Sequence, residues 1–371
     1  MKLLHFSDTH LGFSDYNKVD PQSGLNQREQ DVYDAWNKVI DAVFEHQPDV
    51  VVHAGDMFHT PRPSNRAIRV ALEGIQRLSQ AGIPLVMVSG NHETPRIRST
   101  GSIFESPALF PHVYAAYSGK LERFSVKGVD FYCLPHCSLT EELEQAVEDL
   151  KSAVQTPAAK KVLVTHGAWT GKSFYGLGEF NEQRLPDLEE VAGVTFDYIA
   201  LGHYHRFVEV KANACYSSST ERTSFNEHNS TCGYLLVDLE SAERSYREIR
   251  TRPMVKVPAL DCSGKTTTMI YEALSAAAAT IVDGAMVHIT LDNLEDEAFL
   301  KLDFRLIDDM FKQALFLEKQ VLRKTAGHNS GTSSYIKALP IEFESFLENL
   351  PSLELDKERL RSLGAYYLGQ E

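Results

Sequence analysis

The sequence lacks a cysteine framework, a membrane-length apolar run and any excess of positive charge. Its five cysteines, Cys133, Cys137, Cys215, Cys232 and Cys262, are odd in number and irregularly spaced. That argues against a disulfide scaffold or a zinc knuckle and for buried free thiols. No stretch approaches the roughly 20 apolar residues of a membrane span. The N-terminus, Met-Lys-Leu-Leu-His-Phe-Ser-Asp, meets charge before a signal-type apolar region develops. The expectation is a cytoplasmic protein with no membrane association. Lys and Arg total 37 against 51 Asp and Glu, a formal net charge of −14. Such a balance argues mildly against nucleic acid, whose phosphates are held by clustered cations. One segment departs from the average. Residues 57–98 hold six arginines (62, 66, 69, 77, 96, 98), no lysine and only two acids, Glu73 and Glu93. A solvated helix face would explain the run. Because it brackets two of the candidate site segments described below, a phosphate-facing role for Arg62, Arg66, Arg96 and Arg98 competes with that explanation.

At 371 residues, 43% hydrophobic and 24% charged, the chain can bury one full core and an appendage. Short apolar runs alternate with helical patterns, the signature of an α/β layered fold. The runs are Lys2–Phe6, Asp49–His53, Pro84–Val88, Lys161–Val164 and Tyr198–Leu201. Helices are predicted over 26–45, after a Ser64 cap, and over 139–154. From Phe207 to Thr251 the pattern turns strand-like and suggests the antiparallel closing part of the same sheet system. Pro253 and Pro258 mark a boundary, and a smaller α/β unit follows. Residues 325–334 are rich in Gly, Ser, Thr and Asn and read as a linker. The tail carries two short amphipathic helices, one with Phe343, Phe346 and Leu347, the next with Leu360, Leu363, Tyr366 and Tyr367. Each is too short to be stable alone, so its apolar face needs a cover, either the protein's own body or another chain.

Each of the five runs leads into residues with metal-ligating side chains. Lys2–Phe6 leads to Asp8 and His10, Asp49–His53 to Asp56, and Pro84–Val88 to Asn91 and His92. Lys161–Val164 leads to His166, and Tyr198–Leu201 to His203 and His205. Ligands of α/β sheets gather at the carboxyl ends of strands. A single such residue would be an ordinary loop polar group; five at equivalent positions would converge on one point. Gly55, Gly90 and Gly202 stand just before these ligands, where backbones must turn sharply or approach closely. Imidazoles with carboxylates and an amide oxygen suit Mn, Fe, Zn or Co better than Mg or Ca. Seven ligands exceed the needs of one ion, so a pair about 3.5–4 Å apart with a bridging carboxylate is expected.

Asp8-Thr-His10, Gly55-Asp56, Gly90-Asn91-His92-Glu93, His166 and Gly202-His203-Tyr204-His205 together resemble the calcineurin-like metallophosphoesterases. Within that superfamily three further motifs resemble the DNA double-strand-break repair nucleases of the SbcD type. They are Phe-Ser-Asp-Thr-His-Leu-Gly at 6–12, Gly-Asp-Met-Phe-His at 55–59 with Pro-Arg-Pro-Ser at 61–64, and Ser-Ser-Thr-Glu-Arg at 218–222. The resemblance is strong to about Arg252 and weaker beyond.

It implies a layered β-sandwich flanked by helices over 1–253, a small α/β capping domain that helps seat DNA over 254–324, a linker over 325–339, and a helical segment over 340–371 that binds a coiled-coil ATPase of the SbcC type. It also implies one metal on Asp8, His10, Asp56 and His205, and a second on Asp56, Asn91, His166 and His203, with Asp56 bridging. His92 would protonate the leaving oxygen, and His59 would support exonuclease action on duplex ends. The implied cofactor is two Mn²⁺, with Fe, Zn or Mg as substitutes. The implied partners are DNA ends and hairpins at the nucleoid, the ATPase held by Phe343, Phe346, Leu347, Leu360, Leu363 and Tyr366, and a second copy paired through helices at 64–81 and 102–110. The expected activity is exonuclease and endonuclease. The competing readings are a phosphoesterase for small or lipid phosphoesters and a DNA-end-binding scaffold with structural metals. One decoy stands apart: Ala259 to Thr266, Ala-Leu-Asp-Cys-Ser-Gly-Lys-Thr, approaches a phosphate-binding loop. It has alanine for the first glycine and an acid at Asp261 inside the cradle.

Overall fold

The structure, a computed structural model, describes residues 1–154, 160–169, 182–323 and Leu360, with the side chain of Arg98 excepted. The linker and the tail residues Phe343, Phe346, Leu347, Leu363 and Tyr366 lie outside the described residues.

Two six-stranded sheets form the body. In the first, the order is Arg244–Glu248, Gly233–Asp238, Lys2–Phe6, Val50–His53, Leu85–Val88, Val113–Ala116. The last four run parallel and the first two close the sheet antiparallel. In the second, the order is Phe207–Lys211, Ala214–Ser217, Tyr198–Gly202, Lys161–His166, Val129–Leu134, Glu122–Val126. Its four central strands are parallel and both edges antiparallel.

Side-chain alternation along the strands builds three apolar layers. Between the sheets, Leu3, Val50, Val52, Val86 and Val88 meet Phe131, Val162, Val164, Tyr198 and Ala200. On the outer face of the first sheet, Leu4, Phe6, Val51, Leu85 and Met87 pack against Trp36, Val39, Ile75 and Leu78. On the outer face of the second, Leu163, Ile199 and Leu201 pack against Ala146, Leu150 and Leu188. The flanking helices are Gln27–His46 and Asn65–Gln80 on one side and Thr140–Ala153 on the other. Ser64 caps the second of these, accepting from the Ala67 N–H at 3.2 Å. All five cysteines are buried and free.

Two expectations need correction. The strand-like stretch after Phe207 is not antiparallel throughout: its four strands divide, two to each sheet, the chain crosses between the sheets after Ser217, and Ala214–Ser217 pairs parallel with Tyr198–Gly202. The helix expected at 102–110 is instead two short 3₁₀ turns, Ile103–Glu105 and Pro107–Leu109. Ser102 and Glu105 close the first turn as a capping box, and Pro107, with no N–H to donate, cannot continue an α-helix from it.

Residues 254–323 form their own sheet. Met254–Lys256, Leu260–Asp261 and Phe316–Arg323 all pair parallel with Met286–Leu294. Helices Thr267–Ala278 and Phe304–Met310 cover it, over a core that includes Ile270, Leu274, Ile289, Leu291 and Phe311. The seam with the sandwich has an apolar part, Phe225 with Met254 and Met286, and an ionic part. Asp31 takes both Nε and Nη2 of Arg252, at 2.6 and 2.7 Å, and the Arg28 guanidinium bridges Asp31 and Glu221. Glu221 belongs to the Ser-Ser-Thr-Glu-Arg motif, which therefore has a structural task at the seam. Among the described residues no helix is long and apolar enough to cross a membrane.

Candidate metal centre

The parallel strands bring the singled-out residues to one end of the sandwich. Three neighbouring strands of the first sheet run into Asp8 and His10, Asp56, and Asn91; two neighbours of the second end at His166 and run into His203 and His205. The turns that follow are sharp. Asp8, His10, Asp56 and His203 have φ of 52°, 46°, 55° and 114°, a region that costs a non-glycine residue about 1–2 kcal/mol. The turns are tied together by Asp8 N–H to Gly55 O at 2.9 Å and His10 N–H to Asp56 O at 3.0 Å. Two glycines make the approach feasible. A Cβ at Gly90 would stand 2.1 Å from Asp56 Oδ1, and one at Gly55, whose φ is +95°, 2.3 Å from His166 Nδ1.

Among the described residues, ligand-type atoms crowd together in three groups, each within 4.8 Å: Asp8, His10, His205; Asp8, Asp56, His166; and His10, His59, His92. Hydrogen bonds fix the ring orientations. His166 Nδ1 lies 2.9 Å from the Ala54 carbonyl and His205 Nδ1 lies 2.8 Å from Glu227 Oε1. A carbonyl or carboxylate only accepts, so both Nδ1 atoms carry the proton, and in the neutral rings both Nε2 atoms present lone pairs. The His205 Nε2 lone pair faces His10 Nε2 at 2.9 Å. That of His166 faces Asn91 Oδ1 at 3.0 Å and Asp56 Oδ2 at 3.3 Å. Asp56 Oδ2 also lies 3.9 Å from His10 Nε2. Acceptors this close repel unless a proton or a metal cation stands among them, and the residues present fit a bound metal pair.

The charges agree. Burial would depress His166, yet Asp56 beside it raises its pKa to about 10. Burial would raise Asp56, but His166 and the other imidazoles hold it well below the usual carboxylate range. Burial pushes Asp8 up to about 6 and holds His10 well below an ordinary histidine. The Asp56–His166 pair stabilises positive charge at the point where a divalent ion would supply it, whereas burial keeps Asp8 and His10 from charging by themselves.

The remaining candidates fall nearby. His203 donates its backbone N–H to both Asp8 oxygens at 3.1 Å, and its ring lies 5.3 Å from that of His166. Its side chain is outside the three tight groups. His92 donates its backbone N–H to Asp56 Oδ1 at 3.0 Å, and its Nδ1 lies 3.0 Å from the His59 carbonyl. The His59 and His92 rings stack at 5.2 Å, and burial, then the neighbouring His92, lowers the His59 pKa. Arg62 and Arg96 line a cavity of about 710 Å³ with His59, Asn91 and His92. Arg66 is drawn to Glu29 at 3.2 Å. Three supporting residues escape the sequence reading. Glu227 orients His205. Glu93, raised to about 8 by burial, accepts from the Gly90 N–H at 2.8 Å. Gln183 joins the His166 carbonyl to the Cys137 N–H. Of these only Glu93 lies inside a visible motif.

The decoy at 259–266 holds its own carboxylate: Asp261 Oδ1 accepts from the Ser263 N–H, the Ser263 hydroxyl and the Asn293 amide.

The model of the family described as calcineurin-like phosphoesterase matches residues 1–207. The DNA double-strand break repair protein Mre11 of Thermoplasma acidophilum is 30% identical over 271 residues, which cover 68% of this chain and 67% of that protein. Mre11 of Methanocaldococcus jannaschii is 29% identical over 262 residues, covering 67% and 65%. Mre11 of Haloferax volcanii is 30% identical over 269 residues, covering 69% and 54%. The match thus spans about two thirds of the first two relatives and about half of the third.

Proposed function

The chain belongs to the calcineurin-like phosphoesterases, and on that premise we propose that it is a two-metal DNA nuclease that processes double-strand breaks and hairpin ends. The observation that carries the two-metal reading is the crowding of acceptor atoms around Asp56 Oδ2, 3.3 Å from one imidazole nitrogen and 3.9 Å from another. Asp8, His10, Asp56 and His205 would hold one ion, and Asp56, Asn91, His166 and His203 the other. Mn²⁺ is the expected metal, with Fe, Zn or Mg as substitutes. Such a pair, when bound, lowers the pKa of a shared water and neutralises charge developing on a phosphodiester.

The protein's own groups do the rest. His92 Nδ1 donates to the His59 carbonyl, which leaves Nε2 as the atom that hands a proton to the departing oxygen. His59 supports that ring by stacking and borders the path of a duplex end. Arg62 and Arg96 line the adjoining cavity, where their cations suit the flanking phosphates; Arg98 extends the same basic run. The unit 254–324 caps the site and helps seat DNA, and 1–253 is the nuclease core. The segment 340–371, beyond the 325–339 linker, engages an SbcC-type coiled-coil ATPase through Phe343, Phe346, Leu347, Leu360, Leu363 and Tyr366. Two copies pair through the helix at 64–81 and the turns at 102–110. The protein works in the cytoplasm, on the nucleoid.

The test is cleavage of linear duplex and hairpin DNA by the full chain in Mn²⁺, with and without the ATPase. Cleavage that EDTA abolishes supports the reading. Hydrolysis of bis-p-nitrophenyl phosphate with no DNA cleavage under any of these conditions overturns the DNA substrate and leaves a small-phosphoester enzyme.

A further inference from the structure

The seam and the metal centre share one loop. Glu227, nine-tenths buried, holds His205 Nδ1 at 2.8 Å. Its carboxylate is itself held by the Thr223 N–H at 2.8 Å and the Thr223 hydroxyl at 3.1 Å. Two residues earlier in the same 3₁₀ turn, Phe225 packs on Met254 and Met286 of the small unit. The Phe225 ring lies 5.5 Å from His288 and 5.8 Å from Tyr16, which in turn lies 4.9 Å from Phe316. Arg222 staples the loop at both ends, donating to Ser230 O at 2.9 Å and to Thr251 Oγ1 at 2.9 Å. Ser230 N–H closes back on Glu227 O at 2.7 Å. A loop so tied moves as a body: displacing Phe225 displaces Glu227, and with it the His205 ring.

We propose that the loop 222–230 couples the small unit to the metal centre, with Glu227 as a positioning residue for His205 and Phe225 as the contact that registers how the small unit is seated. The proposal rests on His205 being a metal ligand, as read above. A carboxylate behind a ligating imidazole fixes its tautomer and raises its basicity, and losing such a partner weakens metal binding about 10–100-fold. Because coupling between two sites is reciprocal, ion binding at His205 must in turn tighten the seam.

The experiment is Mn²⁺ titration calorimetry on the full chain, with hydrogen exchange read on the same samples. Glu227→Ala is expected to weaken one of two Mn²⁺ sites about 10–100-fold, with Glu227→Gln, whose amide oxygen still accepts from Nδ1, losing less. Phe225→Ala, two residues from Glu227, is expected to weaken the same site several-fold. Saturating Mn²⁺ is expected to slow exchange at 254–256 and 286–288 in the wild type. The Gln variant and the exchange data stand even where an alanine variant fails to fold. Two normal Mn²⁺ sites in both Glu227 variants overturn the positioning role. Unchanged exchange at the seam strands, or a Phe225→Ala protein with wild-type affinity, overturns the coupling. A wild type that takes up no Mn²⁺ overturns the metal reading and this inference with it. Because no DNA is present, failure of the DNA substrate cannot be mistaken for any of these.

Discussion

At the mouth of the sandwich Asp8, His10, Asp56, Glu93, His166, His203 and His205 are all buried, and four of them hold positive φ. In the small unit, among the described residues, only His288 and Thr290 are buried polar side chains, and only Asn293, a residue type that tolerates it, has positive φ outside glycine. Both regions set parallel strands under helices, so architecture does not explain the difference. In the small unit pattern, propensity and packing agree, as they do where a segment needs only to fold. The sandwich breaks those preferences at one end and meets the cost with the three apolar layers behind it. Such local disagreement is the physical mark of a site, and four substitutions or conditions can break or sharpen the contrast.

The largest effect belongs to His92. Its side chain lines the cavity, whereas its backbone N–H, the bond to Asp56, survives truncation. His92→Ala should lower kcat for DNA cleavage about 10²–10⁴-fold while leaving Mn²⁺ stoichiometry and DNA affinity intact. Single-turnover cleavage beside calorimetry checks this, and undiminished cleavage would remove His92 from the mechanism. Ile289→Ala is the counterpart in the small unit. Ile289 is fully packed among Ile270, Leu274 and Leu291, so a cavity there should cost about 2–5 kcal/mol of stability. The rate on bis-p-nitrophenyl phosphate at saturating Mn²⁺ should not move. A rate that collapses in step with stability would show that the small unit's core is part of the catalytic body.

Acidification separates the regions next. Burial drives His53 down to about 3, and likewise His5. Each is neutral in the fold but charges when unfolded, so its contribution is present above about 6.5 and lost as pH falls through the folded value. The raised acids run the other way: Asp8, about 6, and Glu93, about 8, contribute below about 4 and lose that contribution as pH rises. Total stability therefore mixes opposite slopes, and the difference between proteins isolates one group. In EDTA, wild type should lose stability relative to His53→Leu by up to about 1.4 kcal/mol per pH unit between 6.5 and 3. Parallel denaturation midpoints across that range would refute the buried neutral histidine.

How much of this was legible in the sequence follows from what each residue depends on. The strands leading to Asp8, Asp56, Asn91, His166 and His203 were readable because apolar runs and the polar residues after them are local. Strands Val113–Ala116, Glu122–Val126 and Val129–Leu134 are less clearly marked; the first is short and weakly patterned, and none leads to a candidate ligand. The division into two sheets depends on which strands pair, as with Lys2–Phe6 and Gly233–Asp238 over 200 residues apart, and no local pattern encodes that. Glu227 escaped for the same reason: its partner His205 lies 22 residues away, and only the folded loop brings them together.

The smallest effect concerns the segment where sequence resemblance misleads. Ala259 to Thr266 approaches a phosphate-binding loop, and a helix does begin after it, at Thr267. Yet Thr266, which would face a bound Mg²⁺ in such a loop, is spent as the helix cap, accepting from the Met269 N–H at 3.3 Å. The amide of Ser263 is already given to Asp261, and that carboxylate would repel a phosphate. Thr266→Ala should therefore cost about 1 kcal/mol of small-unit stability through the lost cap, and millimolar Mg-ATP should leave the melting temperature of both wild type and variant unchanged. A wild type that ATP stabilises, by an amount the variant loses, would place a nucleotide in the small unit and erase its description as the region that only packs.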